Sequence, residues 1–343
     1  MTLAFAPLLA AVQSNCHLSD ARHAQDLTLC NYLLAMREYY CWEHELPQQA
    51  VPPRGDVGRW IAEREALWET LADADWSRVP LPSGQADPFD ADAVNAELVP
   101  AGYLYGAGRG RFGKPHFFLA RLAGRERRDG VEILEAGCEY ARDLDAAPAV
   151  LRGETIVLRR EAFERWLWLQ AETWEARGSG DAMAAALEAY GYGRERERAL
   201  GRMAEAERET LILHELGEHA AGKLLGDGWE RFMEGLRDRR QEITARAVRD
   251  LLADSLVTLP TLLERDARPS LQFWFATFSG LRRELFPRLA SAQLAWTAGA
   301  GHEVLRDAAG EGRAHWLRVA QELATDPLAA ERYARSPGQI TLA

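Results

Sequence analysis

Residues 207–225 read ERETLILHELGEHAAGKLL, and the apolar positions in this stretch recur at helical spacing. On a wheel of roughly 100° per residue, Ile212, Leu213, Leu216, Ala220 and Leu224 form one arc, while Glu207, His214 and Glu218 lie opposite it. The pattern predicts a long amphipathic helix over Arg194 to Leu225. Comparable patterns follow at Trp229 to Leu263, with a break, and at Ser270 to Ala298, with a shorter helix expected at Ala182 to Glu188. The segment after Gly299 is shorter and more polar.

Upstream, Asp20 to Trp76 reads as helices interrupted by a loop around Pro47, Pro52, Pro53 and Gly55, and Val79 to Asp92 has loop composition. Short apolar and aromatic runs at Tyr103-Leu104-Tyr105, His116 to Ala120, Val131 to Leu134 and Thr155 to Leu158 predict strands. The fold class expected is therefore α+β and predominantly α-helical: a helical core with a small antiparallel sheet inserted in the N-terminal half. Arg177-Gly178-Ser179-Gly180-Asp181 has the composition of a flexible connector. It divides the chain into a helical domain over 1–177, with a β-rich insert at about 99–158, and an all-helical domain over 181–343.

A chain of 343 residues with 47% hydrophobic content can bury a substantial core. Its net charge of −11 and pI of 5.4 argue against nucleic acid or an anionic membrane as partner, since either needs clustered Lys and Arg. A small-molecule substrate is the partner expected, and oligomeric state is not specified. Cys16, Cys30, Cys41 and Cys138 show no CxxC spacing, which points to free thiols and a cytoplasmic location. No Lys or Arg precedes the apolar run Met1 to Val12, so no secretory signal is expected, and no run approaches the about 20 apolar residues of a membrane span.

His214, Glu215, Glu218 and His219 place two imidazoles and two carboxylates within six residues. A helix brings His214 beside Glu218 and Glu215 beside His219. Such a polar stripe is ordinarily a solvated face; the sharper reading is that it lines a polar cavity. HExxH spacing fails, because Glu218 stands where the second histidine is needed, and the inverted motif fails equally. What remains is the chemistry of helix-borne Glu and His ligands, of the kind used by di-iron bundles.

Asp250 and Asp254 form a second carboxylate stripe one turn apart, with Arg246 and Arg249 available as intrahelical partners. The stretch Leu27 to His44 is apolar around almost its whole circumference, which predicts burial on most sides and partners for Arg37 and Glu38. Arg282 falls among Trp274, Phe275, Phe278, Leu285 and Leu289, where it could neutralise a carboxylate or hold an anionic substrate group.

The expectation is a metal-dependent enzyme, with a divalent metal ion, iron or zinc, held by His214, Glu215, Glu218, His219, Asp250 and Asp254. Glu38 and Arg282 are the candidate catalytic residues. The competing class is a non-catalytic helical interaction protein whose stripes are solvated. Gly108 to Lys114 fits GxxxxGK, but Pro115 replaces the Ser or Thr that holds magnesium and a strand follows, so a hairpin loop is the better reading. His17, Asp20 and His23 read as a capping cluster, and Glu139 to Asp143 as an ion pair closing the sheet.

Overall fold

The computed structural model describes residues 3–177, 181–326 and 328–343, and the chain is a predominantly helical α+β protein. It divides into two compact units. The first comprises Met1–Arg128, Glu132–Pro148 and Val157–Trp168; the second comprises Asp129–Val131, Ala149–Ile156 and Leu169–Ala343. The expected connector is centred on residues 178–180, which lie outside the described residues.

In the first unit, α1 (Phe5–His23), α2 (Leu29–Glu43) and α3 (Arg54–Leu71) precede a β1 (Val79–Leu81) and β2 (Gly84–Ala86) hairpin and α4 (Ala91–Leu98). α1 begins well before Asp20 because its buried stripe mixes Leu8, Val12 and Cys16 with Asn15, Ser19 and Asp20, so hydrophobic periodicity does not mark it. Each buried polar group on α1 meets a main-chain partner. Asn15 clamps Ser77 through its N–H and carbonyl, both at 2.8 Å, Ser19 donates to the Pro115 carbonyl, and Asp20 accepts from Leu144 N.

The sheet follows: β3 (Tyr103–Arg109), β4 (Pro115–Arg128), β5 (Val131–Arg142), β6 (Ala149–Arg152) and β7 (Thr155–Arg159), in the order β3-β4-β5-β7-β6. β3 and β4 pair antiparallel from Tyr103 opposite Arg121 to Arg109 opposite Pro115, so Gly108 to Lys114 is the hairpin loop. β4 and β5 run longer than their apolar runs because Asp129 and Gly130, at φ 50° and 87°, form the two-residue turn that the strand twist prefers.

Burial of charge organises this unit. Arg142 is 2% exposed and reaches the Glu38 carboxylate at 3.1 and 2.6 Å, while stacking over Tyr39 and Trp42. Arg159 and Glu139 form a second buried bidentate pair at 2.7 and 2.8 Å. Asp143 accepts from Phe117 N and faces His116 Nδ1 at 3.2 Å, and Lys114 Nζ stands 3.3 Å from Asp20. Burial opposes ionisation of Asp143, but His116 and Lys114 override it and hold its pKa down to about 2.

α2 is not buried on most sides. Met36, Tyr39 and Cys41 are inside, whereas Leu29 is 72% exposed and Leu33 48%. Apolar composition all round the helix does not bring neighbours all round it.

His17 supplies a pH dependence. Burial first, and then the Arg64 guanidinium 2.9 Å from Nε2, lower its pKa to about 4. A histidine depressed from 6.5 lets the unfolded chain take a proton first, so stability falls as pH drops from 6.5 to 4. Burial pushes Asp20 up to about 7, which acts in the opposite sense. The difference between wild type and His17→Gln isolates the histidine. Urea unfolding should show the variant gaining about 2 kcal/mol relative to wild type between pH 7 and pH 4, and parallel pH profiles would refute the assignment.

α5 (Arg160–Arg177) follows β7, and α6 (Asp181–Ala189) leads to α7 (Arg196–Leu225), the 30-residue helix about which the second unit is built. α8 (Asp227–Gly235) and α9 (Arg239–Ala253) come next, α9 being capped by Asp238, which accepts from Arg240 N and Gln241 N at 2.9 and 3.0 Å. α9 widens into a π-helical turn, Asp254–Thr258, before α10 (Leu259–Glu264). Pro260 has no N–H to return to the fourth residue before it, which accounts for the widening.

The expected helix over Ser270 to Ala298 is three helices, α11 (Arg268–Thr277), α12 (Gly280–Leu285) and α13 (Pro287–Thr297). Gly280 at φ 56° and Pro287, which follows a non-helical Phe286 at φ −125° and ψ 61°, interrupt it. α14 (Glu303–Thr325) and α15 (Ala329–Arg335) complete the unit. α14 buries Leu305, Ala308, Gly312, Trp316, Val319 and Leu323 at helical spacing, so the C-terminal segment is core. Half of its buried positions, Ala308, Ala309, Gly312 and Ala320, are small, which weakens its apolar signal. Among the described residues no helix is long and apolar enough to cross a membrane, and all four cysteines are free.

Candidate metal centre

α7 meets the end of α9 and its π-turn at Gly217, where a Cβ would stand 2.4 Å from the Ala253 carbonyl oxygen. This approach of two backbones is open only to glycine. It carries His214 and Glu218, which flank Gly217, against Asp250 and Asp254 from the facing helix. The stripe that reads as solvated is thus largely inside: the side chains of His214, Glu218 and Asp254 are 25%, 11% and 1% exposed.

Asp254 Oδ1 lies 2.8 Å from His214 Nδ1 and Asp254 Oδ2 lies 3.3 Å from Arg282 Nη1. The carboxylate fixes the imidazole and leaves Nε2 turned to Glu218 Oε1, 3.8 Å away. One donor atom from each of His214, Glu218 and Asp250 lies within 4.8 Å of the others. A tetrahedral zinc shell spaces its nitrogen and oxygen donors about 3.4 Å apart, so a small contraction would close these three around an ion.

Arg249 donates to Glu218 Oε1 and stands 3.8 Å from Asp250 Oδ1. Burial disfavours a charged His214, but Asp254, then Glu218 and Asp250, override it and raise its pKa to about 10. Burial opposes ionisation of Asp254 as well, yet His214 and Arg282 hold its pKa below the usual range. Glu215 is 7% exposed, and burial followed by the Glu218 charge pushes its pKa up to about 8.

The structure brings together five of the residues singled out from sequence: His214, Glu218, Asp250, Asp254 and Arg282. Glu215 lies beside them without joining the three-donor group. His219 is outside that group, and its Nε2 is buried with no hydrogen-bond partner among the described residues. Glu38 belongs to the first unit, where Arg142 and Arg165 hold its carboxylate. Arg282 spends Nη1 on Asp254 and Nη2 on the Thr277 carbonyl at 2.7 Å, which makes it a support for Asp254.

Arg249 is the site residue that sequence reasoning misses. Helical spacing offers it a partner within its own helix, as Arg246 does meet Glu242 at 2.8 Å, whereas Arg249 reaches across to α7. Its one sequence signal is position, since it precedes Asp250.

No curated protein and no solved structure matches the chain. Two family models match in succession, the N-terminal domain of a family of unknown function (DUF6866) over residues 7–159 and its C-terminal domain over residues 164–336. The chain therefore belongs to the DUF6866 family, and the His214 cluster lies in that family's C-terminal domain.

Proposed function

We propose that the C-terminal half of the chain holds one divalent metal ion at His214, Glu218 and Asp250, and that the protein is a metal-dependent enzyme acting on a small molecule. The observation that carries this reading is the oriented histidine. Asp254 holds Nδ1, the freed Nε2 stands 3.8 Å from Glu218 on its own helix, and a donor of Asp250 from the facing helix completes a group within 4.8 Å. One imidazole and two carboxylates suit zinc or ferrous iron, and three protein donors leave positions for water and substrate. Zinc there would generate hydroxide for hydrolysis; iron would support oxygen chemistry. Four free cysteines suit a reducing compartment such as the cytoplasm.

A second reading is favoured by Arg249, whose guanidinium already neutralises Glu218. In that reading the cluster is a metal-free ionic seam binding α7 to α9 in a non-catalytic protein. Metal binding separates the two. Chelator-stripped protein should bind zinc or cobalt at one ion per chain, with affinity reduced by about 100-fold or more in His214→Ala and Asp250→Ala. Weak binding without stoichiometry, equal in wild type and variants, would leave the ionic seam as the function of the cluster.

A further inference from the structure

Glu218 Oε1 faces two positive groups. His214 Nε2 stands 3.8 Å from it, and Arg249 Nη2 donates to the same oxygen while lying 3.8 Å from Asp250 Oδ1. One guanidinium nitrogen is therefore set against carboxylate oxygens of two of the three residues that would bind a metal. We infer that Arg249 is a built-in counter-ion that takes the metal's electrostatic place in the metal-free protein and turns away when the ion enters, an inference that rests on the metal reading of His214, Glu218 and Asp250.

Three observations carry it. A carboxylate oxygen that gives charge to a divalent ion holds a guanidinium less strongly, and the two cations would stand within a few ångströms in a poorly solvated site. With neither Arg249 nor a metal present, His214 alone would stand against Glu218 and Asp250, two carboxylates largely out of water. The anchoring of Arg249 is also one-sided. Its Nε is buried and has no hydrogen-bond partner among the described residues, whereas Arg282 in the same site is tied to both Asp254 and the Thr277 carbonyl. The Arg249 side chain is 26% exposed, so it borders solvent. Arg249 is the movable arginine and Arg282 the fixed one.

The test is zinc binding to chelator-stripped wild type and Arg249→Met, measured by competition with a chromophoric chelator, with folding followed by circular dichroism. The variant should bind zinc about tenfold more tightly, the opposite of the 10- to 100-fold loss expected when a partner that orients a ligand is removed. Labelling of wild type with phenylglyoxal, read at Arg249 by peptide mass spectrometry, should rise when zinc is added. It decides the matter alone if the variant does not fold.

Zinc binding by the variant with none by wild type would support the counter-ion role in its strongest form. Stoichiometric binding by wild type, with equal or weaker binding by the variant or with unchanged labelling, overturns that role and leaves the metal site standing. No binding by either protein overturns both together.

Discussion

Gly217→Ala is expected to lower the melting temperature by about 4–8 °C, although alanine is the better helix former. Replacing glycine inside a helix ordinarily gains about 1 kcal/mol. At Gly217 the new Cβ would lie 2.4 Å from the Ala253 oxygen and 2.9 Å from its carbonyl carbon, both main-chain atoms. A clash with backbone relaxes only by parting the helices, at a cost of about 3 kcal/mol for overpacking of this kind. The balance is a net loss of about 2 kcal/mol, which for a unit of this size corresponds to the stated shift.

Gly201→Ala is the control, because Gly201 lies on the exposed side of the same helix with nothing within 4 Å of the position its new Cβ would take. It should hold or raise the melting temperature. Parting the helices at Gly217 also draws His214 and Glu218 away from Asp250 and Asp254, so zinc binding at the proposed site should weaken along with stability in Gly217→Ala. If both glycine variants melt alike, α7 and the end of α9 are not in backbone contact at this point.

How far the site is legible in the sequence follows from how its residues are spaced. His214 with Glu218, and Asp250 with Asp254, are i,i+4 pairs, and helical periodicity alone puts each pair on one face. That the two faces meet depends on Gly217, whose contact with residue 253 leaves no mark in the spacing of charges. Glycine in a helix interior is itself a signal, since it costs stability unless something needs the room.

The first unit is less legible for the same reason. Asp20, Lys114 and Asp143 come from a helix, a hairpin loop and a strand end far apart in the chain, and each has an ordinary local reading as a cap, a loop cation or an ion-pair member. The fold class comes through because strand runs and helical stripes are local properties. Helix ends do not where buried polar groups, as on α1, or small residues, as at half the buried positions of α14, share the packing.

Asp254→Ala should destabilise the second unit by about 3–5 kcal/mol, the range for leaving a buried charge without its partner. Asp254 is 1% exposed and receives both His214 Nδ1 and Arg282 Nη1, so truncation strands two cations at once. Asp254→Asn keeps an oxygen for one donor and loses the charge, so it should cost about half as much. The pH profile separates this electrostatic loss from a simple packing defect. In chelator-stripped wild type the His214 pKa is raised from 6.5 to about 10, so its contribution is fully present below pH 6.5 and is lost as pH rises towards 10. Without Asp254 most of that rise disappears, so the gap between Asp254→Ala and wild type should narrow as pH rises, whereas the decline from Glu215, raised to about 8, is common to both proteins. Denaturant unfolding of both proteins at pH 6, 8 and 9.5 measures the difference directly. A constant gap between the two across that range would mean that Asp254 fills space beside His214 without holding its proton.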